Sequence, residues 1–394
     1  MTVTAAALAR STSIPFCVAD ITPEARAAAD RVLSGGWVTT GPEVAAFEDE
    51  FAAFVGARHA VAVSSCTAGL QLALRALELP AGARVLTPSM TFAGAVHAIL
   101  QAGLEPVLVD VDPETLMPAP EHVAAAAERG PRPSAMVVLH YAGAPADVAA
   151  LAEAARLPME FVVEDAAHAL WTRAGGRDVG TLSGATCFSF YATKNLPLGE
   201  GGMVTTQDDR TASYIRRARL HGMSKDAWRR YLPGGTWRYD IEIAGIKANM
   251  TDVTAAMGRA QLAHLATWQS RREQVAARYQ AALADLPGIR MPIESTGGRH
   301  AWHLFVVQVA RADAVSRDTV AADLEERGIG CSVHFIPVHH LRYFREVLGD
   351  YAGLLPGTDA AADRVLSLPM HPRLSDAEVD CVCEALADAV GAPW

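Results

Sequence analysis

The chain has 394 residues, and its shares of hydrophobic residues (51%) and charged residues (20%) are those of a folded globular protein, which excludes a largely disordered chain. The formal net charge of −10 argues against nucleic acid as the main partner, because contacts to phosphate dominate such binding. No apolar run is long enough to span a bilayer, since charges, prolines or histidines interrupt every one.

Two helices are predicted before the first strand. The first begins at Thr22, a hydroxyl N-cap followed by proline at the first helical position, and it ends at Gly35 and Gly36. The second covers about residues 44–54 and ends before Gly56.

Short apolar runs then alternate with helical segments, a pattern typical of a mostly parallel sheet covered by helices on both faces. The predicted strands cover residues 60–63, 84–86, 106–109, 136–139 and 161–163, and the helices cover 67–77, a segment after Thr91, a segment near Glu121, and 148–155. Two more strands, near 187–190 and 203–205, follow each other without a long helix, so we expect part of the sheet to be antiparallel.

The pattern changes after residue 249. One long helix is predicted over 251–286, where Pro287 stops it, and strands at 302–309 and 332–335 and helices at 318–327 and from Ser375 onward follow. We therefore predict an α/β protein with a large domain over residues 14–250 and a smaller α+β domain over 251–394. The N-terminal helix is expected to pack with either domain.

Three groups that can perform chemistry follow predicted strands, and ligands of open parallel sheets bind at the carboxyl ends of strands. They are Lys194, Asp165 and the segment Ser-Ser-Cys-Thr-Ala at 64–68. A lysine amine can form a Schiff base with the aldehyde of pyridoxal phosphate (PLP), and an aspartate can keep the ring nitrogen of that cofactor protonated. The order of these groups therefore predicts a PLP enzyme that moves amino groups.

Each of these residues also has a plainer interpretation. Thr67 could cap a helix, and Asp165 could cap the helix that follows its strand. His168 could be a hydrogen-bonded core histidine, and Phe92, which could cover the cofactor ring, could be ordinary core packing. The placement of all of them at one sheet edge is what favours a cofactor site.

The chain also resembles, over nearly its whole length, the DegT/DnrJ family of PLP-dependent nucleotide-sugar aminotransferases, which have the fold-type I architecture. The motifs that carry the resemblance lie at residues 36–42, 64–68, 164–168, 188–195, 199–202, 249–252, 334–337 and 367–370. The family's dehydratases replace the lysine by histidine, so Lys194 favours an aminotransferase.

The resemblance implies a role for each residue that matches a family motif. Lys194 is the lysine that binds the cofactor covalently, and Asp165 pairs with the pyridinium nitrogen. The other implied contacts are to the phosphate (Thr67, Ala68 and Ser189), the ring face (Phe92), the phenolic oxygen (His168), the phosphate of the neighbouring subunit's cofactor (Asn249), and the sugar (His334 and Tyr191). The contact across subunits implies a homodimer, although Asn249 could equally cap the helix that follows it.

The implied reaction transfers the amino group of L-glutamate to a nucleotide-linked 4-keto sugar, with pyridoxamine phosphate (PMP) as the intermediate form of the cofactor. Residues 140–147 and 300–305 look like the branch that aminates UDP-4-keto-pentose, whereas Tyr191 and Phe92 replace a histidine and a tryptophan that are typical of that branch. Amination at C3, a 6-deoxyhexose substrate, and a non-catalytic regulatory paralogue are the alternatives.

Four further expectations concern ligands and location. His334, His339 and His340 lack a carboxylate or cysteine that completes a ligand set, so no metal site is predicted. Lys225, Arg229 and Arg230 could contact a diphosphate or form a solvated basic loop.

No G-x-G-x-x-G follows the first strand, which disfavours a dinucleotide-binding dehydrogenase. Six cysteines without a CxxC pair, and a poor signal-peptide pattern before Ser11, predict a cytoplasmic protein with reduced thiols.

Overall fold

The computed structural model describes residues 13–224, 239–292, 298–310 and 315–392. Its strands are β1 (His59–Val63), β2 (Arg84–Pro88), β3 (Glu105–Val109), β4 (Ala135–Leu139), β5 (Val162–Asp165), β6 (Arg173–Ala174), β7 (Arg177–Asp178), β8 (Ala185–Ser189), β9 (Gly202–Thr206), β10 (Ile289–Arg290), β11 (Phe305–Val309) and β12 (Val365–Leu368). Its helices are α1 (Pro23–Gly35), α2 (Pro42–Val55), α3 (Cys66–Ala76), α4 (Ala93–Gln101), α5 (Pro120–Ala127), α6 (Val148–Ala155), α7 (Asp209–Ala218), α8 (Asp252–Leu262), α9 (Leu265–Leu283), α10 (Arg317–Glu326), α11 (Arg342–Leu348), α12 (Pro356–Ala362) and α13 (Asp376–Ala389).

The main sheet has seven strands in the order β1-β9-β8-β5-β4-β2-β3. Within it, β9 runs antiparallel to both of its neighbours, and the other six strands point in one direction. The predicted α/β fold with a mostly parallel sheet is therefore confirmed, and so is the antiparallel part. A separate antiparallel sheet contains β10, β11 and β12, and β6 pairs with β7 in a short hairpin.

Both faces of the main sheet are buried, which explains its continuous apolar strands. In β1, Val61 and Val63 pack in the cluster that contains α3, α4 and α7, whereas Ala60 and Ala62 pack in the cluster that contains α2. On that second face, α5 and α6 cover the part of the sheet near β2 and β4. Side chains alternate between the faces because a strand has a period of two residues.

Helix α1 shows why its predicted boundaries hold. The Thr22 hydroxyl accepts a hydrogen bond from the Ala25 amide at 3.1 Å, and Pro23 occupies the first turn. The helix ends at Gly36, which has a φ of 78° that glycine adopts without steric cost. Helix α1 packs on α8, where the Gln261 side chain accepts a hydrogen bond from the Thr22 amide at 3.2 Å.

The prediction of one helix over residues 251–286 is wrong. The structure has two helices, α8 and α9, which are separated at Ala263 and His264. An apolar period that continues across a one-turn break looks like a single helix in the sequence.

The predicted strand at 332–335 is also wrong, because those residues form only an isolated bridge between Ser332 and Ser367. The strand that pairs with β11 is β12, which the sequence analysis missed together with α7, α11 and α12. Helices α11 and α12 have seven residues each, which is too short for a clear helical period.

The proposed division at residue 250 remains a prediction. The small sheet has its own core, formed with α9, α10 and α13. In contrast, α8 packs on α2, and a Cβ at Gly258 would lie 2.6 Å from the Phe47 ring. Among the described residues, none of the helices combines the length and the apolar character that crossing a membrane requires.

Candidate active site

The predicted site residues lie at one edge of the main sheet, because they follow the carboxyl ends of strands that point in one direction. The segment 64–68 follows β1, and Phe92 comes four residues after the end of β2. Asp165 is the last residue of β5, and Lys194 comes five residues after the end of β8.

Lys194 lies in a turn in which its amide donates a hydrogen bond to the Tyr191 carbonyl at 2.9 Å. Burial disfavours the charged ammonium and lowers the pKa of Lys194 to about 8, although the negative charge of Asp165 opposes the shift. An amine with this pKa is partly neutral near pH 7, and the neutral amine is the form that attacks a carbonyl carbon.

This pKa predicts how Lys194 reacts with a small acylating reagent in the protein freed of cofactor. Because the folded protein favours the neutral amine, the rate of modification should rise through a midpoint near pH 8, well below that of an ordinary lysine. Mass spectrometry of the peptide that contains Lys194, over a series of pH values, measures that midpoint. A midpoint above pH 10 would show that the amine is exposed to water.

His303 fixes the position of the Lys194 amine. The Asn195 amide nitrogen donates to the Ala301 carbonyl at 2.9 Å, so the Asn195 oxygen faces His303 Nδ1 at 3.1 Å. An amide oxygen only accepts, so Nδ1 carries the ring proton and Nε2 is left as an acceptor. The Lys194 amine, 3.3 Å from His303 Nε2, therefore donates to it.

Arg272 stabilises the backbone at His303. One nitrogen of this buried guanidinium donates to the carbonyl oxygens of Trp302 and Met370, both at 3.0 Å. The same nitrogen lies 3.4 Å from the carbonyl oxygen of His303. Burial, together with the positive charge of Lys194, lowers the pKa of His303 well below its usual value. The ring thus stays neutral and can accept the hydrogen bond from Lys194.

Sequence reasoning did not assign a role to His303 or Asn195, although both lie in motifs that it quoted. Asn195 directly follows the lysine and was the signal that could have been used. His303 is 109 residues from Lys194 along the chain, and no local pattern joins the two.

We expect His303→Ala to reduce turnover by about 100-fold, because a misplaced reacting group costs roughly that factor. His303→Gln, whose amide can reach the position of Nε2, should recover part of the activity. The pH midpoint of Lys194 acylation separates positioning from loss of fold: it should move in the alanine variant and return toward about 8 in the glutamine variant. An unchanged midpoint in both variants would remove His303 from the site.

Asp165 is a buried carboxylate at the end of β5. It accepts hydrogen bonds from the Ala167 amide at 3.1 Å and from the Cys66 thiol at 3.7 Å. Burial raises the pKa of Asp165, and the positive charge of Lys194 counteracts part of that rise. A carboxylate in this position gains stability from a cation placed beside it.

The phosphate candidates lie at the N-terminus of α3. Ser65, not Thr67, caps this helix, because its hydroxyl accepts the Ala68 amide at 3.1 Å. The Thr67 hydroxyl faces Gly94, where an added Cβ would lie 2.6 Å from it and 3.2 Å from the Phe92 ring. The absence of a side chain at Gly94 thus lets the hydroxyl and the aromatic ring approach the backbone closely, and 65% of Phe92 is exposed.

A group of aromatic and imidazole rings lies beside His303. His168 Nδ1 accepts a hydrogen bond from the Ala142 amide at 3.2 Å. Its ring stacks on Phe335, with centroids 5.8 Å apart, and lies 4.5 Å from the His303 ring. Burial lowers the pKa of His168 well below its usual value, so the ring is neutral and carries its proton on Nε2.

His334 joins this group from the segment that bridges to β12 at Ser332. Its ring stacks on Phe16 at 5.7 Å, and its Nδ1 lies 2.8 Å from the Ser367 hydroxyl. The Tyr141 hydroxyl donates to the His334 carbonyl oxygen. Burial lowers the pKa of His334 to about 4, so its imidazole is neutral near pH 7.

Three predicted residues have less informative surroundings. The Ser189 hydroxyl accepts the Tyr191 amide at 3.3 Å, and the Tyr191 side chain is exposed. Asn249 bridges to Val63 at the end of β1, and its amide nitrogen donates to the Thr40 hydroxyl at 2.6 Å. The role of Asn249 in a neighbouring subunit's site therefore stays a prediction.

The predicted basic residues of the diphosphate loop lie outside the described residues. They are Lys225, Arg229 and Arg230.

The structure gives part of the pentose-branch motif at 140–147 a structural role. His140 is fully buried, and its Nδ1 accepts the Ala146 amide at 3.1 Å. Its Nε2 therefore donates to Glu164 at 2.7 Å, and the Ser183 hydroxyl donates to the other oxygen of that carboxylate at 2.7 Å. This network stabilises the turn after β4, so the motif does not by itself specify a sugar.

The residues at this edge fit PLP. The buried amine of Lys194 can join an aldehyde, and the donors to Asp165 carry no charge, so a protonated ring nitrogen would supply the missing cation. The N-terminus of α3 suits a phosphate, because the start of a helix favours an anion. The exposed ring of Phe92 can cover one face of a flat ring.

Comparisons with known proteins agree with this geometry. Residues 19–387 match the DegT/DnrJ/EryC1/StrS aminotransferase family. The chain is 44% identical over 383 residues to the spore coat polysaccharide biosynthesis protein SpsC of Bacillus subtilis, an alignment that covers 97% of this chain and 98% of that protein.

Two solved structures with the same fold illustrate the likeness. DesV of S. venezuelae, determined in complex with a ketimine intermediate, is 34% identical and has a TM-score of 0.86, with 98% of this chain and 100% of that chain covered. A Streptococcus pneumoniae protein assigned as a sugar aminotransferase, in its PMP form, is 28% identical and has a TM-score of 0.87, with 96% and 99% covered.

Proposed function

Because the chain belongs to the DegT/DnrJ/EryC1/StrS aminotransferase family and is a PLP-dependent sugar aminotransferase, we propose that it transfers the amino group of L-glutamate to a nucleotide-linked 4-keto sugar. A 4-keto-pentose is the first candidate substrate, and the product is the corresponding 4-amino sugar for aminosugar biosynthesis. The observation that carries this proposal is the buried Lys194 amine, which has a lowered pKa and lies at the same sheet edge as Asp165.

The cofactor, when bound, supplies an aromatic ring that withdraws electrons from the bonds of the carbon that carries the amino group. Asp165 would keep the ring nitrogen protonated, because a buried carboxylate is most stable beside a cation. Thr67, Ala68 and Ser189 would hold the phosphate, and Phe92 would cover one face of the ring. His168, which carries its proton on Nε2, would donate to the phenolic oxygen.

Lys194 performs the proton transfers. Its Nζ takes the proton from the Cα of L-glutamate in one half of the reaction and returns a proton to the sugar carbon in the other half. An amine with a pKa of about 8 can both accept and release a proton near neutral pH. The hydrogen bond to His303 Nε2 holds the amine in place, since proton transfer requires close approach.

The sugar is proposed to lie between the exposed Tyr191 side chain and His334, which would also place it near Phe92. Tyr191 is 48% exposed and comes three residues before the lysine, so it can face a bulky substrate. His334 lies in the segment beside β12, where its Nδ1 is 2.8 Å from the Ser367 hydroxyl. As a homodimer, the protein would also use Asn249 of one subunit at the cofactor phosphate of the other.

The experiment that tests this proposal is a panel of nucleotide-linked keto sugars, pentoses and 6-deoxyhexoses with the keto group at C3 or C4. Each is incubated with L-glutamate that carries an isotopic label on its amino nitrogen. We expect a labelled 4-amino sugar with the highest kcat/KM for the pentose, and no product from Lys194→Ala. A higher kcat/KM for a 6-deoxyhexose or a C3 ketone would replace the pentose, and transfer to none of them would refute the nucleotide sugar.

A non-catalytic regulatory paralogue is the second candidate function. It is disfavoured because Thr67, Asp165, Ser189 and Lys194 are all retained. Absorbance of the purified protein distinguishes the two: a transaminase loses its yellow colour when L-glutamate is added, and a regulatory protein keeps it.

A further inference from the structure

Two imidazoles and a carboxylate converge outside the candidate active site. His339 Nε2 and His340 Nε2 each lie 2.8 Å from the same oxygen of Asp359. The potential ligand atoms of the three residues all lie within 4.8 Å of one another. The sequence analysis predicted no metal because it found no carboxylate or cysteine to complete the ligand set. The fold supplies the carboxylate of Asp359, which is 20 residues further along the chain than His339.

The first histidine is held in the orientation that a metal ligand needs. His339 is buried, and its Nδ1 lies 2.6 Å from the hydroxyl of Ser89, which is fully buried. The adjacent amide of Val338 donates to the Ser89 carbonyl at 3.0 Å, so the turn and the residue after β2 are joined twice. A hydrogen bond at one ring nitrogen typically orients the other ring nitrogen toward a metal.

The carboxylate is held just as firmly. Asp359 lies on α12, and the N-terminus of that helix is bound by Asp110, which follows β3. Asp110 accepts the Gly357 amide at 2.9 Å and both the amide and the hydroxyl of Thr358 at 2.7 Å. The two elements that carry the cluster are therefore fixed to neighbouring strands of the main sheet before any ligand binds.

The cluster borders an open groove of about 640 Å³ that water can enter. The charged side chains that line the groove, besides the histidines, are those of Arg345, Asp350, Asp359 and Asp363. Three carboxylates against one guanidinium make the groove favourable for a cation.

We propose that His339, His340 and Asp359 bind a divalent transition-metal ion of the Zn²⁺ type, with water from the groove completing the coordination. Two imidazoles with one carboxylate suit Zn²⁺ or Co²⁺, whereas Mg²⁺ and Ca²⁺ prefer oxygen ligands alone. In a tetrahedral site, ligand atoms about 2.0–2.1 Å from the ion lie about 3.3 Å apart. The two nitrogen-to-oxygen separations of 2.8 Å would increase by about half an ångström on binding. The separation between the two imidazole nitrogens, which lies within 4.8 Å, would adjust to the same value.

Binding at this place would join the turn Val338–His340 to α12 through the ion. Because the same turn follows the segment of His334 and contacts Ser89, the ion would stabilise the loop on which Phe92 lies. The expected effect is a higher unfolding temperature in Zn²⁺, since a ligand that binds only the folded state stabilises it.

The experiment uses the tag-free holoenzyme after treatment with a chelator and removal of free cofactor. Co²⁺ is titrated while its visible absorption is followed at wavelengths longer than those of the cofactor, and Zn²⁺ is then added to displace it. We expect one Co²⁺ per chain, with the intense bands of a four- or five-coordinate ion, displacement by Zn²⁺, and a raised unfolding temperature in Zn²⁺.

His340→Ala and Asp359→Asn should each weaken Co²⁺ binding by at least about tenfold. His340 is partly exposed, so its replacement should not disturb the fold. The matched control is His59→Ala, which removes an imidazole that contacts a single carboxylate, Asp209, at 2.6 Å. No Co²⁺ or Zn²⁺ binding by the wild type, or equal binding by wild type, His340→Ala and Asp359→Asn, would overturn the proposal.

Discussion

Lys194→Ala is expected to lower the rate of amino transfer by at least about 10⁴-fold, because it removes the group that moves the proton in both halves of the reaction. The variant should still fold, since truncation of a buried amine with a lowered pKa removes a group whose charged form the fold disfavours. The rate is measured as labelled amino sugar formed from L-glutamate and the best keto sugar of the panel.

The matched control for this variant is Lys247→Ala, because Lys247 is an exposed lysine that contributes no side chain to the site. It should leave the rate within about twofold of wild type, as surface substitutions do. Turnover by Lys194→Ala close to that of Lys247→Ala would contradict the assignment of the proton transfer.

Asp165→Asn is expected to have opposite effects on activity and on stability. Loss of the carboxylate leaves the ring nitrogen without its partner, which should reduce turnover about 100- to 1,000-fold. In the protein without cofactor, the same change should raise the free energy of unfolding above pH 7. Burial raises the pKa of Asp165, so the charged carboxylate destabilises the fold there, and an amide keeps the hydrogen bond from Ala167.

The sign of this effect follows from the direction of the pKa shift. A carboxyl whose pKa is raised in the folded protein contributes most to stability below its unfolded value, near 3.8, and that contribution is lost as the pH rises through the folded value. The stability gain of Asp165→Asn should therefore disappear at low pH. Chemical denaturation of both apoproteins at several pH values measures it.

Asp110→Asn is the matched control, because Asp110 is also a buried aspartate after a parallel strand. It differs in accepting the amides of Val111, Gly357 and Thr358. Its replacement should lower stability, since an amide leaves some of those donors unpaired. A loss of stability in the Asp165→Asn apoprotein similar to that in Asp110→Asn would show that Asp165 is a structural residue.

Local patterns in the sequence were sufficient to predict the sheet and the edge at which the candidate site residues lie. Asp165 ends one apolar strand, and Lys194 comes five residues after the end of another. The carboxyl ends of parallel strands meet at one edge of a sheet. The same reasoning placed Phe92 and the segment 64–68 there. It could not separate Ser65 from Thr67 as the helix cap, because both hydroxyls lie within three residues at the start of the same helix.

Contacts between distant segments could not be predicted in this way. In the sequence, Asn195 is only the residue after the lysine. The fold shows that it orients His303, which is 108 positions away along the chain. Asp359 lies on a seven-residue helix that has no sequence signal, and it faces two histidines that appeared to lack a partner. Conversely, His140 was taken as part of a substrate-branch motif, and its contacts with Glu164 show a structural role.

The most direct test of the site is to identify the side chain that holds the cofactor. The purified yellow protein is reduced with borohydride, digested, and analysed by mass spectrometry. We expect a phosphopyridoxyl group on Lys194 alone, and none when L-glutamate has first bleached the protein. A modification at Lys247 or another lysine, or a protein that binds PLP without any covalent attachment, would contradict the account.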